Sequence, residues 1–550
     1  MPTQTPASTA EFLPKLITIL REGYRWSDLR ADALAGLTVA IVALPLSMAI
    51  AIASGVGPER GLYTTIIGGF LVSALGGSRF QIGGPAGAFI VLVAACVMQI
   101  GVAGLILATL LSGVLMMVLA LLRAGTYVRF IPYPVTLGFT AGIAVIILAS
   151  QFKDLFGLTL SGAEPGEFIA KIETLWAARA SISVAALAVA AATIALIVGI
   201  KRVRPRLPNL LIAVATASVL AAVLHLPVET IASKFGALPR LPPAPALPEM
   251  SFSLIGAALP WAFSFTLLGA IESLLSAVVA DGMSGRRHRP NMELLAQGAA
   301  NIGSALFGGI CVTGTIARTA TNVRAGSHGP VSGMLHALFV LAFMLIAAPL
   351  AGYIPLAALA GVLAVVAWNM AEKEEIWQLL RHSRADAVVL AVTFGLVVFR
   401  DLTSGIVVGF ALAGLVFIHR MSDTAIVEPS TTRPEAPDLP DDCLVYYLHG
   451  PYFFGAAARL GAVMDQIAEQ PRAFVVDLTD VPYIDSSGAR AFELLARKTA
   501  RKGGTLLLTG ARPEVRRSLQ AAGVKEPASR FLADLSAVQK ALPALAVTHH

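Results

Sequence analysis

Two glycine-containing motifs come just before apolar stretches that are too short to cross a membrane as complete helices. The first is Gln81-Ile-Gly-Gly-Pro-Ala-Gly-Ala-Phe89 and the second is Gly308-Gly-Ile-Cys-Val-Thr-Gly-Thr-Ile-Ala317. Each predicts a short extended piece followed by a helix, and the proline of the first motif suits an initial helical turn. A half-helix that begins inside a membrane directs free N–H groups and a positive dipole end into its surroundings.

Such a helix start attracts anions, and two facing starts would hold a carboxylate, sulfate or bicarbonate without a buried cation. The two motifs also occupy corresponding places in the two halves of the chain, an arrangement typical of transporter binding sites. For either motif alone, a kink that lets helices pack closely is the alternative. The substrate-binding residues predicted at the two starts are Pro85, Ala86, Gly87, Ala88, Gly314, Thr315, Ile316 and Ala317.

Three further residues are candidates for the same cavity. Pro45, in Ala43-Leu-Pro-Leu-Ser-Met48, is expected to kink its helix, and Ser47 to line the cavity. A kinked structural helix without substrate contact is the alternative. Arg318 follows the second motif, where it would either neutralise a second carboxylate of the substrate or extend to the cytoplasmic surface.

Glu272 lies near the centre of an apolar stretch, and Ser276 shares its helix face because the two are four residues apart. An acidic side chain at that depth costs at least about 2.5 kcal/mol, so it marks a functional site by default. Glu272 is expected either to carry a coupling proton or to be an oxygen ligand for a cation such as Na⁺. A structural carboxylate satisfied by a neighbouring helix is the alternative.

The elements that position these residues are predicted to be membrane helices. Of the 550 residues, 56% are hydrophobic and 14% charged, against roughly 25% charged in soluble proteins. The mean hydropathy is +0.74. This composition excludes a soluble enzyme, a disordered scaffold and a nucleic-acid binder. Fourteen apolar segments recur, at 31–53, 60–77, 85–99, 103–122, 133–152, 181–200, 208–226, 258–280, 293–308, 315–324, 330–351, 354–370, 385–400 and 403–419.

The distribution of basic residues predicts the orientation of these segments. Loops after even-numbered segments are rich in arginine and lysine, as in Lys201-Arg202-Val203-Arg204-Pro205-Arg206 and Arg286-Arg287-His288-Arg289. Odd-numbered loops are poorer in basic residues. Because cytoplasmic loops carry the excess of Lys and Arg, both termini are expected in the cytoplasm. No signal peptide is expected at the N-terminus.

The composition becomes that of a soluble protein from about Arg420 onwards. We predict a cytoplasmic N-terminal segment at 1–30, a transmembrane domain at 31–420, a Pro- and acid-rich linker at 421–442 and a small α/β domain at 443–550. In the last, strands are expected at 443–448, 473–477 and 505–509, and helices at 456–468, 489–501, 513–522 and 532–541.

Several activities lack their sequence signatures. There is no Gly-Lys dipeptide, so a Walker A nucleotide loop is absent and transport is predicted to be secondary or channel-like. An intramembrane enzyme would need a nucleophile–base or metal constellation, which the sequence does not offer. The three cysteines form neither a disulfide framework nor a metal-ligand pattern, so no cofactor or metal is expected.

Several motifs together resemble the SulP (sulfate permease) family of anion transporters. The resemblance covers nearly the whole chain and includes Ala43-Leu-Pro-Leu-Ser-Met-Ala49, Gly84-Pro-Ala86, Glu272-Ser-Leu-Leu275 and Asn322-Val-Arg-Ala-Gly326. It implies an α-helical integral membrane protein with fourteen segments as two inverted repeats of seven, divided into core and gate domains. It further implies a cytoplasmic STAS domain, a homodimer and an elevator-type movement of core against gate in a bacterial inner membrane.

Within that family, the chain looks most like bacterial C4-dicarboxylate carriers, which similarly have Glu-Ser-Leu-Leu in segment eight. This resemblance implies proton-coupled symport of fumarate or succinate, with Glu272 and Ser276 as the proton-coupling residues. The alternative is transport or exchange of sulfate, bicarbonate or chloride, with Na⁺ coupling as a variant. Ile484-Asp-Ser-Ser-Gly488 resembles the STAS loop in which a serine is phosphorylated, so Ser486 is either a regulatory phosphosite or a helix cap.

Overall fold

The computed structural model describes residues 11–127, 132–162, 164–204, 207–423, 426–429, 440, 443–452, 473–501 and 503–545. Contacts between residues divide the chain into two compact units, Met1–Phe410 and Ala411–His550. Most of the predicted linker and the predicted helix at 456–468 lie outside the described residues. The domain boundaries given above stay a prediction.

The first unit is helical. Each of the fourteen predicted apolar segments coincides with helix, within a few residues at each end. The helices up to residue 423 are α1 (Lys15–Glu22), α2 (Trp26–Ala53), α3 (Pro58–Tyr63), α4 (Gly69–Leu75), α5 (Ile90–Leu121), α6 (Tyr133–Phe156), α7 (Phe168–Ala177), α8 (Val184–Val203), α9 (Asn209–Val223), α10 (Ile231–Phe235), α11 (Phe252–Ser284), α12 (Pro290–Leu306), α13 (Ile316–Arg324), α14 (Val331–Ala351), α15 (Leu356–Met370), α16 (Lys373–His382), α17 (Arg384–Phe399) and α18 (Leu402–Asp423).

Eight helical stretches of the described residues are each long and apolar enough to cross a membrane. The other predicted segments are shorter helices or share a stretch with a neighbour. Predicted segments three and four form one run from Gly87 to Leu121, broken by the non-helical backbone of Gly101 (φ 70°, ψ −178°). A π-helical turn, Thr64–Gly68, joins α3 to α4. Helix α2 continues through Pro45.

The two extended pieces predicted from the glycine motifs pair with each other. Strand β1 (Gly83–Gly84) runs antiparallel to β2 (Thr313–Gly314), with Gly83 opposite Gly314. Each strand leads into a helix, β1 into a 3₁₀ turn (Gly87–Phe89) before α5 and β2 into α13. The two half-helix starts are therefore held side by side by backbone hydrogen bonds.

Polar side chains satisfy the extended backbone that precedes β2. The N–H of Val312 donates to Oδ1 of Asn301 (3.0 Å), and Nδ2 of Asn301 donates to the carbonyl of Val312 (2.8 Å). The N–H of Ile310 donates to the hydroxyl of Thr64 (2.7 Å), while the hydroxyl of Ser304 donates to the carbonyl of Ile310 (2.7 Å). Backbone without helical hydrogen bonds is tolerated at membrane depth only with such partners.

The second unit contains a five-stranded sheet. Its strands are β3 (Ile426–Pro429), β4 (Cys443–His449), β5 (Ala473–Asp480), β6 (Thr505–Thr509) and β7 (Ser529–Leu532), and its described helices beyond α18 are α19 (Ser486–Arg501), α20 (Pro513–Ala521) and α21 (Leu535–Leu545). The strands lie in numerical order, and all neighbours are parallel except β3 and β4. β5 and β6 are buried, as their apolar runs predict.

The predictions for this unit are corrected at three places. Glu428, inside the predicted linker, lies in β3 opposite Tyr447. Strand β7 was not predicted. The cap of α19 is Asp485 rather than Ser486, because Oδ1 of Asp485 accepts the N–H of Gly488 at 2.6 Å. Ser486 is exposed in the first turn of that helix.

Candidate functional site

The two half-helix starts are not capped by side chains. Thr315 occupies the N-cap position of α13, but its hydroxyl donates to the carbonyl of Ile82 (3.3 Å) and makes no capping bond. Ala86 occupies the same position before the 3₁₀ turn and has no side-chain acceptor. The first N–H groups of both helices, from Gly87 and from Ile316 onwards, are therefore without the usual side-chain partner.

Arg318 lies between these elements and is 1% exposed. Its Nη2 donates to the hydroxyl of Ser47 (3.0 Å) and to the carbonyl of Pro85 (3.4 Å). Its Nε and Nη1 have no hydrogen-bond partner in the described part of the chain. The expectation that Arg318 extends to the cytoplasmic surface is therefore wrong.

Gly84 makes room for this guanidinium. A Cβ atom at Gly84 would lie 2.2 Å from Nη1 of Arg318, far inside contact distance. Any larger residue at this position would force the guanidinium to move from where it lies beside Gly84 of β1. No carboxylate of the described residues compensates this guanidinium, although buried charges are normally paired.

Ser47 is joined to this cluster by hydrogen bonds. Its hydroxyl lies 2.7 Å from that of Thr65, and it accepts the hydrogen bond from Arg318. Pro45, two residues earlier in α2, is buried. No hydrogen bond or ion pair ties Pro45 to the half-helix starts, so its role in binding stays a prediction.

The first half-helix faces two helices that lie outside the glycine motifs. A Cβ atom at Gly87 would lie 3.2 Å from Cδ1 of Ile147 in α6 and 3.6 Å from Sδ of Met370 in α15. Ala86 and Ala88 are buried on either side of Gly87. The side chains of Ile147 and Met370 therefore lie close above this helix start.

Glu272 and Ser276 lie on α11 but make different contacts. The hydroxyl of Ser276 donates to that of Thr319 (3.1 Å), which in turn accepts the N–H of Ile82 (3.1 Å). Ser276 therefore links α11 to both half-helix motifs rather than to Glu272. Oε2 of Glu272 is buried and has no partner among the described residues.

Sequence reasoning missed several polar residues of this region. Gln81 donates from Nε2 to the carbonyl of Ser273 (3.1 Å), and its Oε1 is buried without a partner in the described chain. Nδ2 of Asn322 donates to the carbonyl of Phe80 (2.9 Å). Both ring nitrogens of His336, fully buried in α14, also lack partners among described residues. The sequence signal that could have identified these residues is a polar side chain within an apolar stretch.

These groups form two sets of opposite character. Arg318 and the uncapped helix starts offer hydrogen-bond donors, which suit an anion. Oε1 of the Gln81 amide is a hydrogen-bond acceptor, and so is Oε2 of Glu272 when the carboxylate is ionised. These acceptor atoms suit a proton or a cation. Within the described residues, no group of three His, Cys, Asp or Glu could hold a metal ion. The arrangement defines a membrane transporter for anions.

Comparisons with known proteins give the same class and a family. Residues 29–393 match the Sulfate permease family, and residues 434–532 match the STAS domain. The chain belongs to the sulfate permease family. It is 38% identical over 507 residues to the "Putative sulfate transporter YvdB" of Bacillus subtilis (strain 168), covering 92% of this chain and 95% of the relative.

One further relative and one solved structure are also similar to the chain. The "Bicarbonate transporter BicA" of Picosynechococcus sp. is 28% identical over 520 residues, covering 90% of both chains. The solved structure of the murine Solute Carrier 26 family member A9 anion transporter, in an inward-facing state, gives a TM-score of 0.86 at 19% identity. It covers 98% of this chain and 96% of that one, and it confirms the predicted helical transmembrane fold with a C-terminal STAS domain. All three are named as transporters.

Proposed function

We propose that this protein is a secondary transporter of small inorganic oxyanions, with sulfate as the first candidate substrate and bicarbonate as the second. One observation carries the proposal: Arg318 is fully buried between two uncapped half-helix starts and has no carboxylate partner in the described chain. A buried guanidinium without a counter-ion is costly, and a bound anion would supply that counter-ion.

The charge of the site favours a small, highly charged substrate. Each helix start contributes about +0.5 elementary charge, and the guanidinium adds one, giving roughly +2 in total. A divalent sulfate would balance this charge while Glu272 is protonated. A monovalent bicarbonate would balance it while Glu272 is ionised. The choice of substrate is therefore tied to the charge state of Glu272.

The relatives' names support inorganic anions, since one is named for sulfate and one for bicarbonate. The expectation of C4-dicarboxylate–proton symport has no support from them, and its alternative of sulfate, bicarbonate or chloride fits better. We keep proton coupling through Glu272 as the first hypothesis. Na⁺ coupling at the acceptors of Glu272 and Gln81 is the second, since oxygen ligands suit Na⁺ as well.

The remaining parts of the proposal concern assembly and placement. We propose a bacterial inner-membrane protein with both termini in the cytoplasm, in agreement with the basic loops. We further propose a homodimer in which a core carrying both half-helices moves against a gate. In this proposal, Gly87 of the core faces Ile147 and Met370 of the gate. Ser486, exposed in the STAS domain, is the proposed regulatory phosphosite.

The test is transport by purified full-length protein in lipid vesicles. Uptake of labelled sulfate should be saturable, and unlabelled sulfate and bicarbonate should compete better than chloride, succinate or fumarate. An imposed proton gradient should drive accumulation at constant Na⁺. Uptake driven by a Na⁺ gradient at constant pH would show that Na⁺, and not the proton, is the coupling ion. Competition by succinate or fumarate alone would refute the inorganic substrate.

A further inference from the structure

A cavity of about 450 Å³ lies near the C-terminal end of α11. One wall is apolar and is formed by Leu274, Leu275 and Val278. The opposite side is polar and basic. It is formed by the loop between α11 and α12 and by the turn after α5, with Asp281, Gly285, Arg286, Arg287, His288, Pro290, Gly125 and Thr126 as the other lining residues.

The basic loop has a defined shape. Asp281 accepts hydrogen bonds from the backbone N–H (3.0 Å) and from the Nδ1 of His288 (2.7 Å), which closes the loop on itself. Gly285 ends α11 with φ 68°, a conformation that favours glycine. The pairing of Asp281 with His288 leaves Arg286 and Arg287 as the uncompensated charges of the loop. Both are exposed at the mouth of the cavity.

One other acidic residue acts on this loop. Glu22 feels the charge of Arg286, and the pKa of Glu22 is held below its usual value, chiefly by its hydrogen bond with Arg79. Both carboxylate oxygens of Glu22 accept from Nη2 of Arg79, at 2.6 and 2.7 Å. Glu22 forms its ion pair with Arg79 and acts on Arg286 only through space, so its charge offsets that of Arg286 only in part.

Exposed apolar and aromatic side chains lie near the cavity. Val278, which lines it, is 49% exposed on a helix that crosses the membrane. On the other side, Leu122 is 71% exposed and Tyr127 is 69% exposed. Aromatic side chains next to exposed aliphatic ones are typical of the interfacial region. The apolar wall thus opens to the bilayer and the arginines to the water-facing surface.

We propose that this cavity binds an anionic phospholipid, with its phosphate at Arg286 and Arg287 and the first part of an acyl chain against Leu275 and Val278. Arginine pairs phosphate oxygens through two parallel hydrogen bonds, and an apolar wall continuous with the bilayer fits a chain better than a soluble anion. The same helix carries Glu272, two residues before the lining residue Leu274, so a lipid bound in the cavity would also affect the position of this helix.

The test measures lipid binding to the detergent-purified full-length protein by native mass spectrometry. Phosphatidylglycerol should bind more tightly than phosphatidylcholine. The double variant Arg286→Gln, Arg287→Gln should weaken phosphatidylglycerol binding about 30-fold, given the usual contribution of two arginines at an anionic headgroup. The matched control, Lys201→Gln with Arg202→Gln, removes the same charge from another basic loop and should leave binding unchanged.

A second variant tests the apolar wall. Val278→Trp fills the cavity while keeping both arginines, and it should also weaken phosphatidylglycerol binding. Unchanged sulfate binding in each variant shows that the transporter is folded. Equal loss in the control pair, or retained binding in the arginine pair, would overturn the proposal. Displacement of the lipid by millimolar sn-glycerol 3-phosphate would overturn it in favour of a soluble phosphate ligand.

Discussion

Replacing Arg318 by methionine should separate anion binding from folding. The side chain is 1% exposed, and its Nε and Nη1 have no partner among the described residues. Methionine keeps the length of the arginine stem as far as Nε and carries no charge, so Arg318→Met removes the guanidinium and leaves an apolar stem. If the guanidinium is present to bind an anion, its loss should remove affinity without lowering the stability of the anion-free protein.

The size of both effects follows from the contacts. Two charge-assisted hydrogen bonds from Nε and Nη1 to a bound anion are worth about 1.5–3 kcal/mol each, or about 3–6 kcal/mol together. The affinity should therefore fall about 100- to 10,000-fold. Without anion, the variant loses the bonds to Ser47 and Pro85, worth about 1 kcal/mol each. It also avoids the desolvation of an unpaired buried charge, which costs several kcal/mol.

The assay combines calorimetric sulfate binding with thermal unfolding, both in detergent and with and without sulfate. Wild type should gain stability on adding sulfate, whereas Arg318→Met should not. The matched control is Arg324→Met, because Arg324 lies on the same helix but is exposed. It should keep wild-type affinity. The reasoning would be refuted by an Arg318→Met protein that binds sulfate within about five-fold of wild type, or by one whose anion-free unfolding temperature drops sharply.

Four further outcomes are expected. Glu272→Gln should lose pH-driven accumulation while still exchanging substrate; accumulation with unchanged pH dependence would make Glu272 structural. Gly87→Trp should abolish anion binding, because a ring there collides with the helices facing it. Gly395→Trp, where nothing lies within 4 Å of a Cβ atom, is its control and should bind normally. A single cysteine at Arg204 should label only from the cytoplasmic side, and labelling from the other side would refute the orientation. Asp485→Ala should destabilise α19 by about 1 kcal/mol, seen as faster amide exchange in its first turn within the full-length protein.

The helices were predictable because their signal is local. A run of apolar residues of sufficient length predicts a membrane helix wherever it occurs, and the glycine motifs predict the interruptions at β1 and β2. The gap between the segments predicted at 85–99 and 103–122 contains Gly101, whose non-helical backbone separates two helices. The missed details depend on local backbone geometry. Asp485 and Ser486 are both suitable caps, and only the start of α19 decides between them.

The chemical type of the site was predictable from the sequence, but several of the residues that form it were not. Backbone N–H groups at a half-helix start follow from the glycine motifs alone. The position of Arg318 does not follow from them, because it depends on the guanidinium lying beside Gly84 of β1. Gln81 and Asn322 were missed for the same reason, since each bonds a partner about 190 or more residues away in the chain. A sequence does not show which distant backbone groups will need a side-chain partner.

The pairing of β1 with β2 has a consequence for biogenesis. Gly83 and Gly314 are neighbours in the fold but belong to opposite halves of the sequence. While the ribosome is still making the second half, the first extended piece has no partner strand, and its peptide groups face a medium that cannot satisfy them. The first half must therefore remain incompletely folded in the membrane until β2 is made. During this time water, the insertion machinery or a different local conformation must supply partners for its peptide groups. Truncated or stalled chains should expose this unmatched segment, which gives quality-control proteases a means of distinguishing them from finished transporters.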